Sequence, residues 1–490
     1  MRNTSLGRHH LSVGLSLSLA VVLVMTVVAP VGAATAGAAW YAKIGSAGMN
    51  GTATVQAYTA GTGSIALRLT NLKASTYLPV TLSKGTCRLV GSTLVKLPAI
   101  RTTRSGAVNR TSSLTVAQVT KLKAATNGTG KIAIRVGSGT TGGVKCGVFT
   151  LLYVPIGIVL PSSWAQDQAR FQDSLQATGY GAQILLSQDS ATEKADVRAL
   201  IRLGIKVLIL TPQDSAAAAA AADQAGAAGV KVINLGRLIL NTASVDYYLD
   251  FDCVAVGAAQ AQYLIAKAGA TKGNNLYLYA GAASDNNSFL FLQGAWEKLQ
   301  PRIADGTFVI RNSSLAVALQ GNATLTRDEE GRIIGQVTTN WDFNTARALA
   351  AGNLAAAGAA GKGTVFILGP NDVTARAIAD AFAADRDVTK AYVTGQDADK
   401  ASVQSIIDGR QGMTVFKDPR TWVKGAVAAA VALLTGGTPA ATTTVNTGTI
   451  DVPATLLASV TVTRDNIQAA LIDTGYYRVG DFTGSWPGKP

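Results

Sequence analysis

The stretch TVFILGPNDVTARAIADAFAADRDVTKAYVTGQD, Thr364 to Asp397, holds two apolar runs, TVFIL and AYV, each closing on a polar turn. Between them, Thr374 to Ala384 carries a helical pattern. A short continuous apolar run, unlike an alternating one, reads as a strand buried on both faces, and strand, helix, strand in that order predicts parallel pairing. The same grammar spreads outward through PIGIVLP, AQILLS, KVLILTP, VKVINLG, NLYLYAG and TFVIRN upstream and MTVFKD downstream, with an Ala-rich helical run from Ser215 to Ala228. Residues 154–486 are therefore expected to form a doubly wound α/β unit. The strands are too many for one compact sheet of ordinary size, so two sheets are expected.

Upstream the grammar differs. TATVQAY, SIALRLTNL, LPVTLS and KIAIRVG are β-branched or alternating and are separated by Gly, Ser, Thr and Asn. Residues 34–153 are expected to form a small all-β sandwich. That region also carries the charge asymmetry. From Ala34 to Thr150 there are fourteen Lys and Arg and no Asp or Glu, within a chain of net charge +14. Such a surface attracts an anionic wall polymer or membrane surface, or else serves solubility alone. Nucleic acid is a poor partner for a secreted chain with few aromatics in its basic part.

Residues 1–33 have a basic start, an apolar stretch from Leu11 and a small-residue end at Val31-Gly32-Ala33, the pattern of a secretory signal. Secretion to the periplasm or cell surface follows. His9 and His10 are the only histidines and both lie in that signal. The rest of the chain therefore has neither a histidine-activated nucleophile nor a histidine-ligated metal site, and no cofactor is expected. In an oxidising compartment Cys87 and Cys146 can close one loop within the β region or remain two thiols. Cys253, in DFDCVAVG, reads as a small buried residue.

In open α/β sheets ligands sit beyond the carboxyl ends of the strands. The polar residues that follow strands are Asp285 and Asn287 after NLYLYAG, Asn371 after TVFILGP, Asp397 after AYVTG and Lys417 after MTVF. Trp164 follows the first strand, and Trp341 lies in TTNWDFN. Carboxylates and amides can each satisfy a pair of sugar hydroxyls, while an indole covers a pyranose C–H face. Asp397 and Lys417 could equally be a structural ion pair, and Asp285 with Asp397 could in principle cleave a glycoside.

The ordered segments GVKVINLGRLI, YYLDFDCVAVG, SDNNSFLFLQGA, NWDFNTARA, GPND, TGQDAD, GMTVFKD and TVTRDNIQAALIDTGYYR resemble type I periplasmic sugar-binding proteins of ABC-type uptake systems, in particular the xylose-binding and multiple-monosaccharide-binding group. The resemblance implies two lobes joined by a hinge. Lobe 1 would comprise about 154–252 and 418–455, and lobe 2 about 253–417 and 456–486. It implies ligand contacts at Trp164, Arg237, Asp285, Asn287, Trp341, Asn371, Asp397 and Lys417. The function implied is capture of a xylose-, glucose- or galactose-like monosaccharide by a monomeric, non-enzymatic receptor and its delivery to a permease or chemoreceptor. The alternative is a cell-surface sensor or adhesin with no transport role. Two departures stand out. The group carries aspartate before the arginine where this chain has Gly236, and arginine before the first-loop tryptophan where it has Ser163. Asp167 and Arg170 lie close enough in sequence to compensate.

Overall fold

A computed structural model describes residues 36–45, 51–58, 62–126, 131–137, 143–176 and 178–484. The expected signal, residues 1–33, lies outside the described residues.

Two parallel sheets organise the α/β part. In the first, Tyr180–Ser187, Thr150–Pro161, Val207–Leu210, Lys231–Leu235, Tyr247–Phe251 and Asp451–Leu457 lie side by side and parallel, and Thr443–Asn446 closes one edge antiparallel. In the second the order is Phe308–Ile310, Asn274–Leu278, Gly363–Leu368, Val388–Val393, again parallel. The apolar runs behave as their pattern requires, because successive residues feed opposite faces. Ile209 packs with Phe171 and Trp422 on one side of the first sheet, whereas Leu208 and Leu210 pack with Val197 and Ala221 on the other. In the second sheet Phe366 faces Leu292 and Trp296, and Ile367 faces Ile378 and Phe382.

The chain passes between the sheets three times. It leaves the first at Phe251 into the helix Cys253–Ala268. It returns through Met413–Phe416 to the helix Pro419–Leu434, whose Trp422, Val423 and Ala426 belong to the core of the first sheet. It crosses again between Asp451–Leu457 and Val460–Thr463, the latter antiparallel to Met413–Phe416.

The basic region is two antiparallel four-stranded sheets around one core. Ala36–Ile44, Gly51–Tyr58, Gly63–Leu69 and Val108–Leu114 form one sheet; Val90–Arg101, Tyr77–Gly85, Ile132–Val136 and Lys145–Val148 form the other. Trp40, Ile65, Leu82 and Ile134 fill the space between them, and Cys87 is bonded to Cys146. The all-β reading is corrected at Val116–Thr126, which is a helix. Thr115 Oγ1 accepts from Gln118 N while Gln118 Oε1 accepts from Thr115 N, a reciprocal cap. Val119, Leu122 and Ala125, at helical spacing, are buried beneath it.

One strand belongs to both parts. Thr150, Leu151 and Leu152 pair antiparallel with Tyr41, Trp40 and Ala39, and from Ile156 onward the same strand is central to the first parallel sheet. Residue 153, where the two regions were expected to part, lies inside this strand.

Candidate binding cleft

Loops at the carboxyl ends of both sheets enclose a cavity of about 590 Å³ whose wall includes Trp164, Arg237, Asp285, Asn287, Trp341, Asn371, Asp397 and Lys417. All eight candidates, those read from strand ends and those implied by the resemblance, thus line one space, contributed by both sheets.

On the first sheet's side, Gly236 (φ +76°) turns the chain out of Lys231–Leu235 and presents Arg237. Arg237 Nη1 donates to the carbonyls of Pro212 and Gln213, at 3.2 and 3.1 Å, and its Nε lies 2.8 Å from Asp285 Oδ2. Two backbone anchors and one carboxylate hold the guanidinium in place. Asp285 is buried and caps the helix Asn286–Ala304, its Oδ1 accepting from Asn287 N at 2.9 Å. Burial pushes its carboxyl above the usual range, and Arg237 is the main force opposing that rise. Trp164 stands in the 3-10 turn Ser162–Trp164, with its ring 4.9 Å from that of Trp422.

On the second sheet's side, two site residues sit in left-handed backbone. Trp341 has φ +59°, directly after Asn340 at +51°. Asp397 has φ +101°, directly before Ala398 at +52°. Such conformations are costly for non-glycine residues and persist where the surroundings impose them. At Asp397 the imposing contacts are visible: its N–H donates to Val415 O at 2.9 Å, and Ala398 N donates to Thr414 Oγ1 at 3.1 Å. At Trp341 the indole lies over Gly281, where a Cβ would come within 1.9 Å of the ring, so only glycine fits beneath it. Asp397 Oδ1 is 2.9 Å from Lys417 Nζ. Burial alone would lower the Lys417 ammonium, but Asp397, Cys253 and Asp250 together carry it above its ordinary value. Asn371 Oδ1 caps the helix Asp372–Ala383 by accepting from Thr374 N, which leaves its NH₂ as the group it can offer a ligand.

Several wall residues escaped the strand-end rule. Asp250 lies within a strand, not after it; its Oδ2 accepts from Asn287 Nδ2 at 2.8 Å. A carboxylate inside the apolar run YYLDF was the available signal. Phe291 and Trp422 come from helices, and Tyr476 and Tyr477 from the last described segment. Behind the wall, buried Asp372 accepts from Asp399 N, Gln411 Nε2 and Thr414 Oγ1. Burial, then Asp399 and Asp397, push its carboxyl far above the usual range.

The departure at Gly236 has a steric basis. A Cβ there would meet Trp422 Cζ2 at 3.0 Å and Trp164 Cη2 at 3.2 Å. Indole rings occupy the room next to the position where the resembling group carries a carboxylate. Ser163, Asp167 and Arg170 line the same side of the cavity, the last two as an ion pair.

The two sides touch directly. Besides Arg237 with Asp285 and Asn287 with Asp250, Ser215 N donates to Ser284 O at 2.9 Å, and Asn286 N donates to Ser215 Oγ at 3.0 Å. Among the described residues no group of three or more His, Cys, Asp or Glu is placed to hold a metal ion, and no helix is long and apolar enough to cross a membrane.

Two parallel sheets, three crossings and a polar cleft between their carboxyl edges define a two-lobed binding protein. The profile of the periplasmic binding protein domain matches residues 157–438, and the chain belongs to that family. Its relatives are sugar receptors. It is 32% identical over 337 residues to the multiple sugar-binding periplasmic receptor ChvE of Rhizobium radiobacter, covering 66% of this chain and 90% of the relative. It is 28% identical over 321 residues to the D-xylose-binding periplasmic protein of Escherichia coli, covering 64% and 87%. Among solved structures, a carbohydrate transporter solute-binding protein from Chloroflexus aurantiacus in complex with D-glucose is 64% identical, with a TM-score of 0.67, covering 68% of this chain and 99% of that one. An ABC transporter solute-binding protein from Clostridium phytofermentans with bound β-D-glucose is 29% identical, with a TM-score of 0.59, covering 67% and 99%.

Proposed function

We propose that this protein is an extracytoplasmic receptor that captures a glucose-like monosaccharide by lobe closure and delivers it to an ABC-type permease. The observation that carries the reading is a set of unmet polar atoms. Asn287, Trp341 and Gln396 line the cavity, and each has a buried side-chain polar atom (Oδ1, Nε1 and Oε1) without a hydrogen-bond partner. Unpaired buried polar atoms are costly, and a ligand that both donates and accepts would satisfy them. Sugar hydroxyls do both, and Trp164 and Trp341 offer apolar faces to the ring. The names of the relatives support the ligand class.

A binding role suits the carboxylates better than catalysis does. Asp285 is held by Arg237, Asp397 by Lys417 and Asp250 by Asn287, an arrangement that fixes acceptors in place. Closure is favoured because the ligand bridges both lobes and so binds the closed state differentially. Secretion places the receptor outside the cytoplasm, and the basic N-terminal region holds it at an anionic surface.

Titration of D-glucose followed by tryptophan fluorescence, with Asp397→Asn and Trp341→Ala, tests the site. Loss of one charge-assisted contact, worth about 1.5–3 kcal/mol, predicts an affinity drop of roughly tenfold or more for Asp397→Asn. Trp341→Ala should lose at least as much. Full affinity in both variants would place the ligand elsewhere.

A further inference from the structure

The register of the second basic-region sheet lines up Lys96, Thr81, Arg135 and Cys146 as direct cross-strand neighbours. Directly paired residues share a face. That face is the outer one, because Leu82 and Ile134, one step along their strands, are in the core. The disulfide ties Cys146 to Cys87 at the tip of the hairpin between Tyr77–Gly85 and Val90–Arg101, with Cα atoms 5.7 Å apart. Arg88 and Leu89 follow Cys87, and Val144 and Lys145 precede Cys146, so all four gather around the bridge.

Leu89 is 80% exposed, more than any other large apolar side chain among the described residues, and Val144 is 36% exposed. Arg88 adjoins Leu89, and Lys96 and Arg135 lie on the same outer face as Cys146, in a region whose sequence holds no carboxylate to pair them. Exposed aliphatics on a face that carries unbalanced cations need a partner with an anionic layer over an apolar one. An anionic polysaccharide or polyphosphate supplies charge but no place for Leu89. A bilayer of anionic phospholipid supplies both.

We propose that this disulfide-centred face docks on anionic phospholipid headgroups, with Leu89 entering the headgroup layer. The inference rests on the anionic-surface reading, which it narrows to one face and one partner, and not on sugar capture. The bridge keeps the tip presented, so little ordering is lost on docking. Because Thr150–Pro161 continues from the sandwich into the first parallel sheet, a sandwich held on the bilayer holds that lobe as well.

Co-sedimentation of the full chain with phosphatidylcholine vesicles, with and without phosphatidylglycerol, tests this. Binding is expected only to the anionic vesicles, with release at about 1 M salt, where screening acts within about 3 Å. Leu89→Asp should partition about tenfold more weakly, and the charge reversals Arg88→Glu and Lys96→Glu should weaken binding too. Wild-type protein that fails to sediment with anionic vesicles overturns the proposal. So does a Leu89→Asp variant that sediments as well as wild type, and so does binding to immobilised polyphosphate in place of vesicles. An unchanged melting temperature shows that each variant is folded, and D-glucose titration of the same samples reports separately on sugar capture.

Discussion

Gly236 shows how one residue shapes the cleft. Its φ of +76° suits glycine, and the space a Cβ would enter is bounded by Trp422 at 3.0 Å and Trp164 at 3.2 Å. Restoring the carboxylate of the resembling group by Gly236→Asp should therefore not tighten sugar binding. It should lower stability by about 1–3 kcal/mol, the cost of an imposed left-handed residue plus displacement of an indole. Urea denaturation checks the stability and a D-glucose isotherm checks the affinity; stronger binding at undiminished stability would contradict this account. At this scale the strand-end residues were legible because an apolar run and the polar residue after it are adjacent in sequence. Trp422 and Tyr476 were not, since only the crossings of the chain between sheets bring them to the cavity, and Asp250 lies inside its strand instead of after it.

At the scale of elements, the loop that anchors Arg237 is itself held by a helix. Glu193, on Ser190–Arg202 and only 1% exposed, accepts from Gln213 N at 2.6 Å, while Gln213 O accepts from Arg237. Burial pushes the Glu193 carboxyl up to about 7; its bond to Gln213 and the Arg237 charge oppose this, and Asp214 and Asp196 add to it. A folded pKa above the unfolded value of 4.5 means that the folded state holds this proton more tightly. The stability Glu193 contributes is therefore full below about 4.5 and is lost as pH rises through about 7. Glu193→Gln should flatten that dependence, its stability gaining on wild type steadily across the window. Urea midpoints of both proteins at several pH values check this, and parallel curves would contradict it. The elements themselves were largely legible, since buried parallel strands announce themselves as continuous apolar runs. The helix Val116–Thr126 was not: Thr and Lys break up its apolar positions, and strand-like neighbours on both sides set the expectation. Its cap at Thr115 and Gln118 was the signal in the sequence.

For the whole molecule, the shared strand and the three crossings decide what can move. The sandwich and the first parallel sheet are joined by continuous backbone hydrogen bonding along Thr150–Pro161, whereas the two parallel sheets share no strand and are joined by the three chain passages and the few contacts across the cleft, such as Arg237 with Asp285. In the proposed capture, closure then moves the second lobe against the first lobe and the sandwich joined to it. A ligand that bridges Arg237, Asp285, Trp341 and Asp397 draws its binding energy from both lobes, so binding and closure are one event. Capture of a monosaccharide in this cleft is the central claim, and calorimetric titration of the full chain with D-glucose, followed by a panel of other monosaccharides, tests it most directly. The account predicts saturable heat with one-to-one stoichiometry and submillimolar affinity for D-glucose or a close stereoisomer. No heat with any monosaccharide would contradict it.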